Sequence, residues 1–209
     1  MSSPGGGGSG IGGGAAGSGV ASIGATCNFS LNQQGLLAGL VAMVPGLGAK
    51  PIEAVENACA SGGQALGLAM RVIRSGQADY VLAGGYDTMI NPVGLAGFCL
   101  LGAISTDNDR PASASRPFDR TRNGFVLGEG AGFVVLEDWQ RARDRGAKIY
   151  AELAGEGDSL GSYRITDSPP SGDGPIQAIR GALADAGETV DAIDYVNAHG
   201  TSTPMNDLS

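Results

Sequence analysis

The chain has 209 residues, is 42% hydrophobic and 16% charged, and carries a formal net charge of -8 with one histidine. That length can bury a core of one domain or one and a half, and the acidic balance argues against nucleic acid as a partner. Three scattered cysteines make neither a disulfide framework nor, with one histidine, a zinc site. No run is long enough to span a membrane and no signal-type start is seen, so a cytoplasmic setting with no membrane or metal is expected.

The first nineteen residues hold ten glycines. Such a tract cannot offset its ordering entropy by burying side chains, so 1–19 is expected to be mobile. Gly12 to Gly17 fits G-x-G-x-x-G only formally, since no strand precedes it, and Gly46 to Pro51 has the wrong spacing for a P-loop. Residues 31–44 are mostly apolar at helical spacing and stop at Pro45, which predicts a buried helix. Over 61–74 the residues Ala65, Leu68, Ala69, Val72 and Ile73 recur at three and four, predicting a second helix. A short strand is expected at 80–83. A long apolar strand is expected at 125–136, with Gly128, Gly130 and Gly132 where neighbours must pass closely.

Next come a charged helix over 138–145 ended by Gly146, and a strand at 149–153. Asp173 and Pro175 open a further helix with the core stripe Ile176, Ile179, Leu183 and Ala186, closed by Gly187. A last strand at 193–198 delivers His199. Strands alternating with helices predict an α/β architecture with largely buried sheets.

Two short stretches carry chemistry. Cys59, between Ala58 and Ala60 and just ahead of the 61–74 helix, sits where free backbone N–H groups and the positive end of the helix dipole favour thiolate over thiol. The same N–H groups suit a thioester carbonyl becoming an oxyanion. A lone cysteine is more often a small buried hydrophobe, and that reading stands beside the nucleophile. His199, ending an apolar strand, is by itself as well read as a structural residue. Gly200, Thr201, Ser202 and Thr203 after it form a turn with three hydroxyls, suited either to a polar ligand arm or to local turn capping.

These blocks occur in order with others: Cys59-Ala60-Ser61-Gly62, Asp79 to Gly85, Ser115-Arg116-Pro117-Phe118-Asp119, Gly124 to Gly132, and Asn197 to Thr203. Together they resemble the elongating β-ketoacyl-acyl-carrier-protein synthases of fatty acid and polyketide synthesis, within the thiolase superfamily. Gly8-Ser9-Gly10-Ile11-Gly12-Gly13 is similar to an upstream glycine loop of that family. The resemblance implies a thiolase-like fold of α-β-α-β-α layers, here incomplete. Its expected parts are the segment 1–19, an N-terminal half over 20–147, and the opening of a C-terminal half over 148–209. It further implies that Cys59 is the acylated nucleophile and that His199 hydrogen-bonds the malonyl thioester. Thr201 and Thr203 would contact the phosphopantetheine arm, and Phe98 and Ile11 would line the acyl tunnel, although core packing explains an apolar residue as readily.

The implied partners are an acyl carrier protein, its acyl and malonyl thioesters, and a second copy in a homodimer or a complementary chain, with the 125–136 strand on the dimer side. No cofactor is implied beyond the carrier's own phosphopantetheine. Arg71, Arg74, Arg116, Arg120 and Arg122 are docking candidates whose alternative role is structural ion pairing. Asp119 and Glu129 are expected to fix the loop around Arg116 and Arg122.

The family's second histidine motif, lysine and C-terminal glycine loop have no counterpart here, so truncation at both ends is expected. The alternative to decarboxylative condensation at Cys59 is therefore a catalytically incomplete fragment or a non-catalytic partner subunit. Glu56-Asn57 before Ala58-Cys59 also gives some likeness to coenzyme A-dependent thiolases.

Overall fold

The computed structural model describes residues 19–25, 52–163 and 169–208. The helix expected at 31–44, together with Ile11 and Cys27, lies outside the described residues, and of the glycine-rich start only Gly19 falls within them. Four strands form one sheet: β1 (Gly19–Ala25), β2 (Ile52–Glu56), β3 (Tyr80–Thr88) and β4 (Glu129–Glu137), in the order β2-β1-β3-β4. The first three run parallel and β4 runs antiparallel to β3.

Helix α1 (Ser61–Arg74) connects β2 to β3 and lies across β1 and β3. Its bounds are those expected from the spacing. Ala65 and Ala69 are fully buried, and Ala69 packs with Ala78, Val81 and Ala83, bordered by Leu66, Val72, Ile73 and Leu136. Buried Val81 and Ala83 alternate with partly exposed Tyr80 and Leu82, so this part of β3 turns one face to the helix. Small residues on both surfaces bring helix and sheet backbones close.

Three further helices follow. α2 (Pro92–Leu100) was not evident from periodicity, because it is apolar nearly all round. Its start is nevertheless encoded: Asn91 Oδ1 accepts the amides of Val93 and Gly94, and Pro92 occupies the first turn. α3 (Trp139–Asp144) is capped by Asp138, whose carboxylate accepts the Arg141 amide at 3.1 Å. α4 (Asp173–Ala186) ends at Gly187 with φ 70°, and Glu188 N donates to Leu183 O at 2.9 Å.

Several expectations need correcting. The segments 149–153 and 193–198 are not strands. Their alternation suits a ladder, but a strand exists only when its amides and carbonyls are paired by a neighbour, and Tyr150, Tyr195 and Val196 stand exposed instead. The strand expected from 125 begins at Glu129. Phe125 instead forms an isolated parallel bridge to Ile104, its amide donating to Ala103 O and its carbonyl accepting from Ser105 N. The α4 stripe is not buried: Ile176 and Ile179 are exposed, while Leu183 and Ala186 are half-buried. Helix α4 lies against the extended chain at Gly155 and Gly157, where a side chain would strike Ala182, Ala186 and Ala178. Glycine supplies the needed closeness there.

A β-carbon added at Gly128, Gly130 or Gly132 would meet open space, and the tight approach falls on Gly84 of β3, which lies against the backbone of Gly132 and Phe133. A β-carbon at Gly84 would lie 2.7 Å from Phe133 Cα on the neighbouring strand. Because that neighbour is backbone, it cannot rotate away. Gly84→Ala is expected to lower stability by about 1–3 kcal/mol in urea unfolding, with an unchanged dependence on urea.

Candidate functional site

Cys59 occupies the middle of a single 3-10 turn, Ala58–Ala60, set directly on the N-terminus of α1, and its side chain is exposed. Ala58, immediately before it, has φ 47°, a left-handed conformation that an alanine adopts only when its surroundings impose it. The buried Ser61 imposes it. Its hydroxyl accepts the Asn57 amide at 2.7 Å and donates to Ala58 O at 2.8 Å, closing the turn on both sides of the cysteine. Asn57 Nδ2 donates to Gln64 Oε1, and Gln64 Nε2 reaches Asp158 at 3.4 Å. The thiol is thus mounted on a fixed turn rather than packed as a core residue.

The loop after His199 is built differently. His199 is exposed, and the Thr201 and Thr203 hydroxyls share a hydrogen bond of 2.8 Å. Between them Ser202 is fully buried with φ 65°. Its hydroxyl accepts the Arg116 amide at 3.0 Å, and its carbonyl accepts Gly124 N at 2.8 Å. Asp207, whose side chain is fully buried, accepts the Ser202 amide at 3.2 Å and the Phe118 amide at 2.7 Å. It also pairs with Arg122 Nε at 3.2 Å. Arg122 further donates to the carbonyls of Thr203, Pro204 and Asp119.

Threonines 201 and 203 are therefore brought together and held on the 116–124 loop. The hydrogen bonds of the Cys59 turn run instead through Gln64 to Asp158. The three non-glycine residues with positive φ among those described, Ala58, Phe118 and Ser202, all lie in these two assemblies.

Phe98, expected to line a tunnel, is half-buried on α2 and meets Phe125 edge-on, with ring centroids 5.4 Å apart at 81°. A cleft of about 220 Å³ lies near it, lined by Leu95, Ile104, Pro111, Ala114, Val126 and Leu127 among others, and Phe98 is not among its walls.

The arginines are mostly occupied. Arg71 pairs with Glu156, Arg74 with Asp185 at 2.9 Å, Arg116 with Asp107 at 3.2 Å, and Arg122 with Asp207. Arg120 is exposed. Asp119 does organise the arginine loop: its carboxylate accepts the Thr121 hydroxyl at 2.6 Å and the Thr121 amide at 2.7 Å. The hydroxyl bond, then the amide bond, with help from Arg116 and Arg122, holds the Asp119 carboxyl below its usual range. A depressed carboxyl stabilises the fold at neutral pH, and that contribution disappears as pH falls through its folded-state value. Glu129 does not join this loop, since its carboxylate accepts the Ile90 amide at 3.0 Å ahead of α2.

Comparison with known proteins adds the decisive observation. Residues 14–142 match the β-ketoacyl synthase N-terminal domain, and residues 150–209 match the β-ketoacyl synthase C-terminal domain. The chain belongs to the β-ketoacyl synthase family. It is 47% identical over 174 residues to the 3-oxoacyl-[acyl-carrier-protein] synthase 2 of Vibrio cholerae, covering 83% of this chain and 42% of the relative. It is 48% identical to the mitochondrial 3-oxoacyl-[acyl-carrier-protein] synthase of Arabidopsis thaliana, over 75% of this chain and 34% of that protein.

Among solved structures, a β-ketoacyl synthase from Burkholderia phymatum is similar with a TM-score of 0.70 and 42% identity, covering 76% of this chain and 38% of that one. A type II polyketide ketosynthase, solved with its acyl-carrier protein and bound to a hexaketide, is similar with a TM-score of 0.69 and 40% identity, over 73% and 38%. The fold is thus the thiolase-like α/β fold of the ketosynthases, and the chain spans about two fifths of the length of the relatives it matches.

In this member of the β-ketoacyl synthase family, sequence reasoning missed Ser61, Ser202 and Asp207. Ser61 and Ser202 lie inside the Cys59 and His199 motifs, where a hydroxyl beside each of these residues is a recognisable signal. Asp207 gave none, because two of its partners, Phe118 and Arg122, are 85 and more positions away in the chain.

Proposed function

We propose that this chain carries the acyl-accepting centre of a β-ketoacyl synthase acting on carrier-protein thioesters. The observation that supports it best is the mounting of Cys59: a one-turn segment, fixed by Ser61, on the N-terminus of a 14-residue helix. The Cys59 thiolate attacks the carbonyl of an acyl thioester, and collapse of the tetrahedral intermediate expels the carrier thiolate, leaving acyl-Cys59. Backbone N–H groups at the helix start are suited to the transient oxyanion. A malonyl thioester then loses carbon dioxide. The resulting carbanion attacks acyl-Cys59, and the cysteine leaves as thiolate with a β-ketoacyl thioester formed on the carrier.

His199, exposed at the turn, serves in this reading as hydrogen-bond donor to the malonyl thioester oxygen. Thr201 and Thr203 present paired hydroxyls to the amides of the phosphopantetheine arm, and Phe98 borders the acyl chain. The partner is an acyl carrier protein, approached through exposed cations such as Arg120. The setting is the cytoplasm, a reading in keeping with no described helix being long and apolar enough to cross a membrane.

The test is transfer from a short acyl-pantetheine thioester, read by peptide mass spectrometry. The acyl group is expected on Cys59 in preference to Cys99 and Cys27, and to be absent in Cys59→Ala. Acylation spread evenly over the three cysteines, or none at all, would overturn the reading.

A further inference from the structure

Phe118 is a large apolar side chain, 61% exposed, on a backbone with φ 65°. Single exposed hydrophobes are ordinary on a protein surface. An aromatic residue in the left-handed region is not, and it persists only where its surroundings over-determine it. Here the determinant is Asp207, a buried carboxylate neutralised by Arg122, which takes the Phe118 amide on one oxygen and the Ser202 amide on the other. One anchor therefore registers two strained residues against each other.

The ring lies on Gly200. A β-carbon at that position would meet Phe118 Cε2 at 3.2 Å and Cζ at 3.4 Å, and Gly200 itself has φ 54°. The glycine between His199 and Thr201 is what lets the ring lie against the turn. Beside it stand the Thr201 and Thr203 hydroxyls, 2.8 Å apart. The result is an exposed apolar plate rigidly set next to a pair of hydroxyls.

That pattern matches a ligand in which a hydrogen-bonding amide lies close to a bulky apolar carbon. The phosphopantetheine arm has this chemistry, since its pantoyl unit bears a geminal dimethyl carbon one hydroxymethine away from an amide. We infer that Phe118 is a specificity-determining residue whose ring contacts the geminal dimethyl group of a pantetheine arm held at Thr201 and Thr203. This deepens the function proposed above and rests on it for the identity of the arm.

The test is ligand-observed saturation-transfer NMR on the intact protein, with reduced pantetheine as one probe and N-acetylcysteamine, which shares the thiol end but lacks the dimethyl unit, as the other. Phe118→Asn removes the ring while tolerating the left-handed backbone, so it separates contact from folding. It is expected to weaken pantetheine binding about fivefold or more, the scale of one or two lost methyl contacts, and to leave N-acetylcysteamine unchanged. Phe118→Leu is expected to restore part of the loss. Wild-type saturation should be strongest on the geminal methyls. Undiminished pantetheine binding by Phe118→Asn, equal loss for both probes, or no pantetheine binding by the wild type would each overturn the inference. Acylation of Cys59, measured on the same samples, reports separately on the underlying function.

Discussion

Asp207→Ala is expected to destabilise the protein by about 3–5 kcal/mol, the usual cost of leaving one partner of a buried ion pair alone. The carboxylate is fully buried and Arg122 is 12% exposed, so water replaces the lost partner poorly. Two amides lose their acceptor as well, and both belong to residues in left-handed conformations that those bonds sustain. Urea unfolding monitored by circular dichroism is the direct measurement, with the midpoint falling and the urea dependence unchanged. Asp207→Asn keeps one acceptor oxygen and should lose less. Adding Arg122→Met to Asp207→Ala should recover part of the loss, because the orphaned charge is then gone. A change within about 1 kcal/mol for Asp207→Ala would mean that the pair is no more than a surface contact.

Ser61→Ala is expected to slow acylation of Cys59 by about ten- to a hundredfold, the scale on which small misplacements of a reacting group act. Ser61 lies outside the bond-making itself. Its hydroxyl spans Asn57 N and Ala58 O, and without it nothing in that pair of contacts keeps Ala58 at φ 47°. The stability loss should be modest, about 1–3 kcal/mol for a buried hydroxyl whose partners are orphaned. Acylation followed over time by intact mass, at a temperature well below unfolding, separates the two effects. Ser61→Thr keeps the hydroxyl and should retain more of the rate than alanine. Equal acylation rates in wild type and Ser61→Ala would remove the serine from any positioning role.

Local pattern made α1 and α4 legible. Their ends are written in residues that act within one turn, such as Gly187 with its positive φ, and the three-four spacing on α1 reports a real buried face. Helix α2 shows the limit of that signal, because a segment apolar on every side has no stripe to read, although Asn91-Pro92 marked its start. The failed strands at 149–153 and 193–198 show the opposite error, since alternation expresses suitability for a ladder while pairing decides whether one forms. At the site, Cys59 was legible because its environment is local, a turn feeding a helix. The mounting of Thr201 and Thr203 was not, because it depends on Arg116, Phe118 and Arg122, distant in sequence and joined to the turn only by folding.

The position of Asp207 also bears on how the chain divides. It lies in the stretch matching the C-terminal family domain, yet it holds Phe118 and Arg122 of the N-terminal match. Asp185 and Glu156 reach back to Arg74 and Arg71 in the same sense. The boundary drawn by sequence families is consequently not a physical seam. A cut in the backbone between the two matched stretches would leave the pieces clasped, and neither piece expressed separately would keep its charged groups satisfied.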